Sequence, residues 1–342
     1  MQISEHRTTS QRHSTFYRAC GPDDGPTIIF THGWPELSIS WRHQLTYLGS
    51  LGYRVIAPDM RGYGGSSLYD THQAYAQTEI VQDMLELIDH LQIQQAVWIG
   101  HDWGSPVAWN MALHHPDRVA AVASLCVPFG FAGNPTQMEH SINRQLYPAA
   151  EYPVGQWDYQ LFYYEDFAKA QAEMELDPEA LIKLLFRKGD PAGQGLPAGT
   201  ASTRKNQGWF TQLGGVPDMP RDDDVVSAED VAVYAGHLQQ NGFFGPNSWY
   251  VNGAANQSFL DSKASATLTM PVLFVHATYD YVCDTTTTNF AEPMRARCPN
   301  LTEQRIDCGH WMAQEKPQEL NAILETWLSE QARFPANGSN PG

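Results

Sequence analysis

AVWIGHDWGSPVAWNMALHH, Ala96 to His115, is the stretch that decides the fold. Ala96 to Gly100 is a short apolar run that reads as a buried strand, and Ser105 to His115 is a helix stopped by Pro116. Between them lies GHDWG, a strand turning straight into a helix around Asp102. Gly100 and Gly104 fit so tight a turn, where side chains would crowd the backbone. A residue at its apex projects from the carboxyl edge of a sheet, with a helix N-terminus beneath it. Alone, the segment has a second reading, as a tight turn with a capping aspartate.

The flanking sequence repeats the same rhythm. PTIIFTHG (Pro26 to Gly33) and YRVIAPDMRGYG (Tyr53 to Gly64) are short buried strands running into glycine turns. Ile80, Val81, Met84, Leu87, Ile88 and Leu91 share one helical face, and VAAVASLCV (Val119 to Val127) is a further strand. This β-α-β-α order implies a parallel sheet covered by helices on both faces. From about Phe129 to about Ala266 the strands stop. Aromatic-rich helical patterns take over, with a long glycine-rich connection from Gly189 to Pro220. The rhythm resumes with PVLFVHATYD (Pro271 to Asp280), a helix near Thr287 to Arg297, a strand near LTEQRID, and a last helix from about Gln318 to Gln331. The expected organisation is an α/β core over 1–128 and 267–342, interrupted by a helical lid over 129–266.

Composition narrows the function. A chain of 342 residues with 42% hydrophobic residues has enough apolar material for a packed core. A formal net charge of −17 argues against nucleic acid and anionic membranes as partners. No apolar run approaches the ~20 residues that span a bilayer, and the N-terminus lacks the apolar segment of a secretory signal. Five scattered cysteines suit reduced thiols better than a disulfide framework, so a cytoplasmic location is expected. Asn256, Asn300 and Asn337 stand in glycosylation sequons that such a location leaves unused.

The chemistry comes from partners of Asp102. TYDYVC puts Asp280 at the end of a strand, and DCGHW puts His310 in the loop before the last helix. The order Asp102, Asp280, His310 is nucleophile, acid, histidine, the order of an α/β-hydrolase triad. Asp284 is a weaker rival for the acid. An alcohol nucleophile that opened a strained cyclic ether or displaced a halide would be left as an inert ether. A carboxylate would be left as an ester, which water can cleave. Aspartate is ionised at neutral pH from a reference pKa near ~3.9, so it needs no base for the attack. The histidine is then free to activate water for the second step, oriented by the second acid.

THGWPE (Thr31 to Glu36), APDMRGYGGS (Ala57 to Ser66), GHDWG and DCGHW together resemble the epoxide hydrolases of the α/β-hydrolase superfamily, soluble type, hydrolase domain only. The resemblance runs nearly the whole chain. It implies an α/β-hydrolase fold, oxyanion donors at the backbone of Trp34 and Trp103, and a cis bond before Pro35. WDYQLFYYE (Trp157 to Glu165) and NGFFGPNSWYVN (Asn241 to Asn252) resemble the family's two lid motifs. They assign Tyr159 and Tyr250 to hold and protonate the epoxide oxygen, while Tyr163 and Tyr164 read as packing residues. The implied partners are a small hydrophobic epoxide, lined by Trp34, Pro35, Trp103, Tyr159 and Tyr250, and water. No cofactor and no metal are implied: His32, His101 and His310 fit the oxyanion, elbow and triad loops. A haloalkane dehalogenase would share Asp102, His310 and Trp103, but many carry asparagine where Trp34 stands, and they lack the tyrosine pair. A non-catalytic receptor on the same fold would tend to lose a triad member, and none is missing.

Overall fold

The computed structural model describes residues 1–331. The sequon at Asn337 lies outside them. Eight strands form one sheet: β1 (Ser4–Thr9), β2 (Ser14–Cys20), β3 (Thr27–Thr31), β4 (Arg54–Pro58), β5 (Ala96–His101), β6 (Val119–Leu125), β7 (Val272–Ala277) and β8 (Leu301–Ile306). Their spatial order is β1-β2-β4-β3-β5-β6-β7-β8. All neighbours from β4 to β8 pair in parallel, whereas β1–β2 and β2–β4 pair antiparallel. β3, β5 and β7 are buried along their whole length, which is why they read as unbroken apolar runs.

The helices are α1 (Arg42–Ser50), α2 (Gln77–His90), α3 (Gly104–His114), α4 (Asp158–Glu165), α5 (Phe167–Met174), α6 (Pro178–Leu185), α7 (Ala228–Asn241), α8 (Phe244–Ser248), α9 (Gly253–Asp261), α10 (Glu292–Arg297), α11 (Met312–Glu315) and α12 (Pro317–Gln331). Every residue of α3 from Gly104 to Leu113 is buried, so it has no polar face to show. α2 is one-sided, burying Ile80, Val81, Met84, Leu87 and Ile88. Among the described residues the connection from β6 to β7 carries α4 to α9 and no strand. No helix among them is long and apolar enough to cross a membrane.

Three details depart from the sequence reading. The N-terminal hairpin β1–β2 and helix α1 were not expected, and the helix expected over Thr287 to Arg297 spans only Glu292–Arg297. Asp284 explains the shortening. Its carboxylate accepts from the backbone of Thr286 and Thr287 at 2.9 and 2.8 Å, holding the threonine run in a turn. All five cysteines are free and buried. Asn256 is buried too, accepting from the Gln77 amide at 2.9 Å, so its sequon offers no accessible acceptor.

Candidate active site

The elbow between β5 and α3 is as tight as the glycine spacing requires. A Cβ on Gly100 would lie 2.4 Å from the Gly104 carbonyl oxygen, and one on Gly104 would lie 2.1 Å from that of Thr31. Asp102 itself sits at φ 49, a left-handed conformation uncommon for any residue but glycine. Such strain persists only where the surroundings hold it, and here it aims a carboxylate off the sheet edge.

One oxygen of that carboxylate is held and the other is free of the backbone. The Trp34 amide donates to Asp102 Oδ1 at 2.7 Å. Close approach depends on Gly33, since a Cβ there would stand 2.3 Å from the same oxygen. The Trp34–Pro35 bond is cis. Trp103 is the N-cap of α3, so its N–H has no acceptor within the helix.

Asp102 Oδ2 faces His310, whose Nε2 lies 3.5 Å away. The other ring nitrogen, Nδ1, is 2.6 Å from Asp280 Oδ2. Asp280 Oδ1 in turn accepts from the amides of Cys283 and Val282 at 2.9 and 3.1 Å. Burial would raise the Asp280 pKa, but His310 and those two amides outweigh it and hold the carboxyl below its ordinary range. Burial likewise opposes charge on His310, and Asp280 and Asp102 overcome it, raising that pKa well above the ordinary value. The structure therefore brings Asp102, Asp280 and His310 together, and leaves Asp284 to its own turn.

Two charged residues whose pairing the motifs did not signal underlie this site. His101 Nδ1 is 2.7 Å from Glu36 Oε2, and its Nε2 is 2.8 Å from the His310 carbonyl oxygen. Both partners are acceptors, so both ring nitrogens carry protons and His101 is an imidazolium. Burial opposes that charge, yet Glu36 raises the His101 pKa to about 10. Against its own burial, Glu36 is pulled to about 2, chiefly by His101. Glu36 also accepts from the Gly33 amide at 2.8 Å, tying the Gly33–Trp34 loop to the elbow and to His310. His32 is the neutral counterpart: Nε2 accepts from Met60 N at 2.9 Å, so Nδ1 donates to the Gly33 carbonyl. Two groupings, His101/Cys126/His310 and Asp280/Cys283/His310, have donor atoms within 4.8 Å of one another, and both share the triad histidine.

Above the carboxylate stand aromatic side chains. Tyr250, in a turn at Trp249–Val251, packs edge-on to Trp103 at 5.1 Å and to Trp34 at 6.0 Å between ring centroids. Tyr159, on α4, meets Tyr250 edge-on at 5.6 Å. Burial raises both phenol pKa values, and the charge of Asp102 adds to this in each case. Tyr163 stacks flat on Tyr250 at 4.7 Å and is fully buried, a packing role. Tyr164 accepts from the Gly253 amide at 2.8 Å. The Trp34 indole N–H is already used, donating to Asn247 Oδ1 at 3.1 Å.

Sheet order, elbow and the histidine loop define an α/β-hydrolase whose elbow carries an acid. Residues 26–317 match the family model described as the alpha/beta hydrolase fold. The chain is 34% identical to Epoxide hydrolase A of Mycobacterium tuberculosis over 313 residues, 90% of this chain and 92% of that protein. It is 36% identical to Bifunctional epoxide hydrolase 2 of Sus scrofa, over 91% of this chain and 53% of that protein, so it spans about half the length of such relatives. The crystal structure of Epoxide Hydrolase A from Mycobacterium thermoresistibile superposes with a TM-score of 0.79 at 31% identity, covering 98% of this chain and 100% of that one. The chain belongs to the epoxide hydrolase family of the α/β-hydrolase superfamily.

Proposed function

We propose that this protein hydrolyses epoxides to vicinal diols through an ester formed on Asp102. The observation that carries the reading is the division of the Asp102 carboxylate, with Oδ1 on the Trp34 amide at 2.7 Å and Oδ2 facing His310. Oδ2 attacks an epoxide carbon, the C–O bond to the ring oxygen breaks, and a phenol of the Tyr159/Tyr250 pair gives that oxygen its proton. Alkylation removes the Asp102 charge that supported the His310 imidazolium. Its proton then passes to the phenolate, leaving a neutral imidazole.

Neutral His310 takes a proton from water as the water oxygen bonds to the Asp102 carbonyl carbon. The developing oxyanion is Oδ1, which already accepts from the Trp34 amide, with the Trp103 amide as the second donor. Collapse breaks the ester C–O bond, and the diol leaves with its proton from water. Asp102 is again a carboxylate and His310 again charged. Asp280 orients the ring and stabilises its charge throughout.

Helices α4 to α9 act as a lid that keeps Tyr159 and Tyr250 over the nucleophile in a water-poor space. There an alkoxide is costly and a proton donor correspondingly effective. A dehalogenase reading is less well supported, because halide needs no proton and the Trp34 indole is committed to Asn247. The acidic charge and five free thiols suit work in the cytoplasm. The test is to incubate the protein with a panel of epoxides and haloalkanes and to score diol against halide. Halide release without diol from any epoxide would overturn the reading.

A further inference from the structure

Gln160 is a fully buried polar side chain that the scheme above does not use. It follows Tyr159 on α4, and its amide nitrogen Nε2 is 3.2 Å from the Tyr159 hydroxyl. The amide N–H donates, so the phenol oxygen accepts and its own proton stays available. The other end of the amide, Oε1, is buried and makes no hydrogen bond to the described residues. A buried acceptor without a partner costs stability that an apolar residue of the same shape would avoid. The donor end therefore accounts for an amide here better than the fold does. Tyr250 is held differently, through its ring, between Trp103, Trp34 and Tyr163.

We propose that Gln160 is a positioning residue that makes Tyr159, rather than Tyr250, the phenol that surrenders its proton to the opening ring. This rests on the reading that a lid phenol protonates the epoxide oxygen. A phenol that gives up its proton becomes a phenolate, and in a buried site that anion needs a donor that is already in place. Gln160 supplies one N–H to the Tyr159 oxygen before and after transfer. The bond strengthens as charge develops on that oxygen, which lowers the barrier for Tyr159 specifically. Tyr250 is left to donate a hydrogen bond to the same ring oxygen and to fix its position. Among the contributions to the Tyr159 pKa, the Gln160 bond works against the upward push of burial.

A double-mutant cycle on the full chain tests this, with pre-steady-state alkylation by styrene oxide as the readout. Gln160→Met should slow alkylation about tenfold in the wild-type background and by less than about twofold in a Tyr159→Phe background, because the partner it acts through is gone. An equal loss in both backgrounds would mean a packing role and would overturn the proposal. So would an unchanged rate, or a faster one, which would mean that Oε1 had been holding the phenol proton. Gln160→Glu keeps the size if Gln160→Met does not fold. It places a carboxyl on the phenol that, once ionised, can only accept, so its alkylation should fall relative to wild type as pH rises and recover as the carboxyl is protonated. A Gln160→Glu rate that tracks wild type at every pH also overturns the proposal. Tyr159→Phe alkylating at the wild-type rate would likewise overturn it, whereas failure of the underlying reading looks different: the Tyr159→Phe/Tyr250→Phe double variant would then alkylate at the wild-type rate.

Discussion

His310 Nε2 stands 3.5 Å from Asp102 Oδ2, while its Nδ1 is 2.6 Å from Asp280. The short bond orients the ring, and the long one leaves Asp102 Oδ2 lightly held. In the proposed mechanism, attack by Asp102 therefore does not require the histidine, and only the hydrolysis of the ester does.

His310→Gln should accordingly open epoxides and then stall. Intact-mass spectrometry after incubation with a substrate epoxide should show the enzyme heavier by one substrate, with diol release nearly abolished. Unmodified protein after long incubation would contradict this separation of the two steps.

Replacing Tyr159 and Tyr250 by Phe removes two hydroxyls and little packing. Loss of one donor aimed at developing charge costs ~3 kcal/mol, roughly a hundredfold in rate, so the double variant should alkylate at least that much more slowly. The single variants should lose less wherever one phenol covers for the other. Thermal unfolding should shift little. A double variant that alkylates at the wild-type rate would make both residues packing residues only.

Gly33→Ala should disable the site without unfolding the sheet. The added methyl falls 2.3 Å from Asp102 Oδ1 and 2.4 Å from its Cβ, so either the carboxylate or the Trp34 loop must move. A displacement near 1 Å of a reacting group can cost about a hundredfold. Diol formation should drop by at least that factor, and near-wild-type activity would mean the Trp34 amide is not needed where it stands.

The buried Glu36–His101 pair makes stability depend on pH in a definite direction. Glu36 titrates at about 2 in the fold against an ordinary 4.5, so its contribution is present above about 4.5 and is lost as pH falls toward 2. His101 titrates at about 10 against an ordinary 6.5, so its contribution is full below about 6.5 and is lost as pH rises through about 10. Both contributions are full only between those ordinary values. The Tm gap between wild type and Glu36→Gln should be widest near pH 5 to 6 and should narrow toward pH 10. A gap that does not vary with pH would contradict the charge assignment.

Strands β3 to β7 were legible because parallel strands buried on both faces leave continuous apolar runs, whereas β8, at the sheet edge, keeps three of its six residues exposed and was read from its place in the alternation of strands and helices. β1 was not, because four of its first five residues are exposed and polar at the sheet edge, so it carries no hydrophobic signal. β2 does alternate, but only over a few residues with Arg18 among them. Asp102, Asp280 and His310 were found because glycine spacing and chain order mark strand ends. Glu36 lay inside a quoted motif without a role, and His101 was read only as part of the elbow loop, since nothing in a linear sequence says that two residues 65 apart form a buried ion pair. Gln160 was hidden for the same reason: only its burial and its neighbour's hydroxyl give it meaning.

The central claim is the ester on Asp102, and oxygen-18 tests it most directly. A single turnover in labelled water, with enzyme in excess over a substrate epoxide, should place the label in the Asp102 carboxylate and leave the diol unlabelled. The predicted result is a two-dalton increase on the peptide that contains Asp102, because water adds to the ester carbonyl carbon. Label found directly in the first diol, with Asp102 unchanged, would mean that water attacks the epoxide itself, and the covalent mechanism would be wrong.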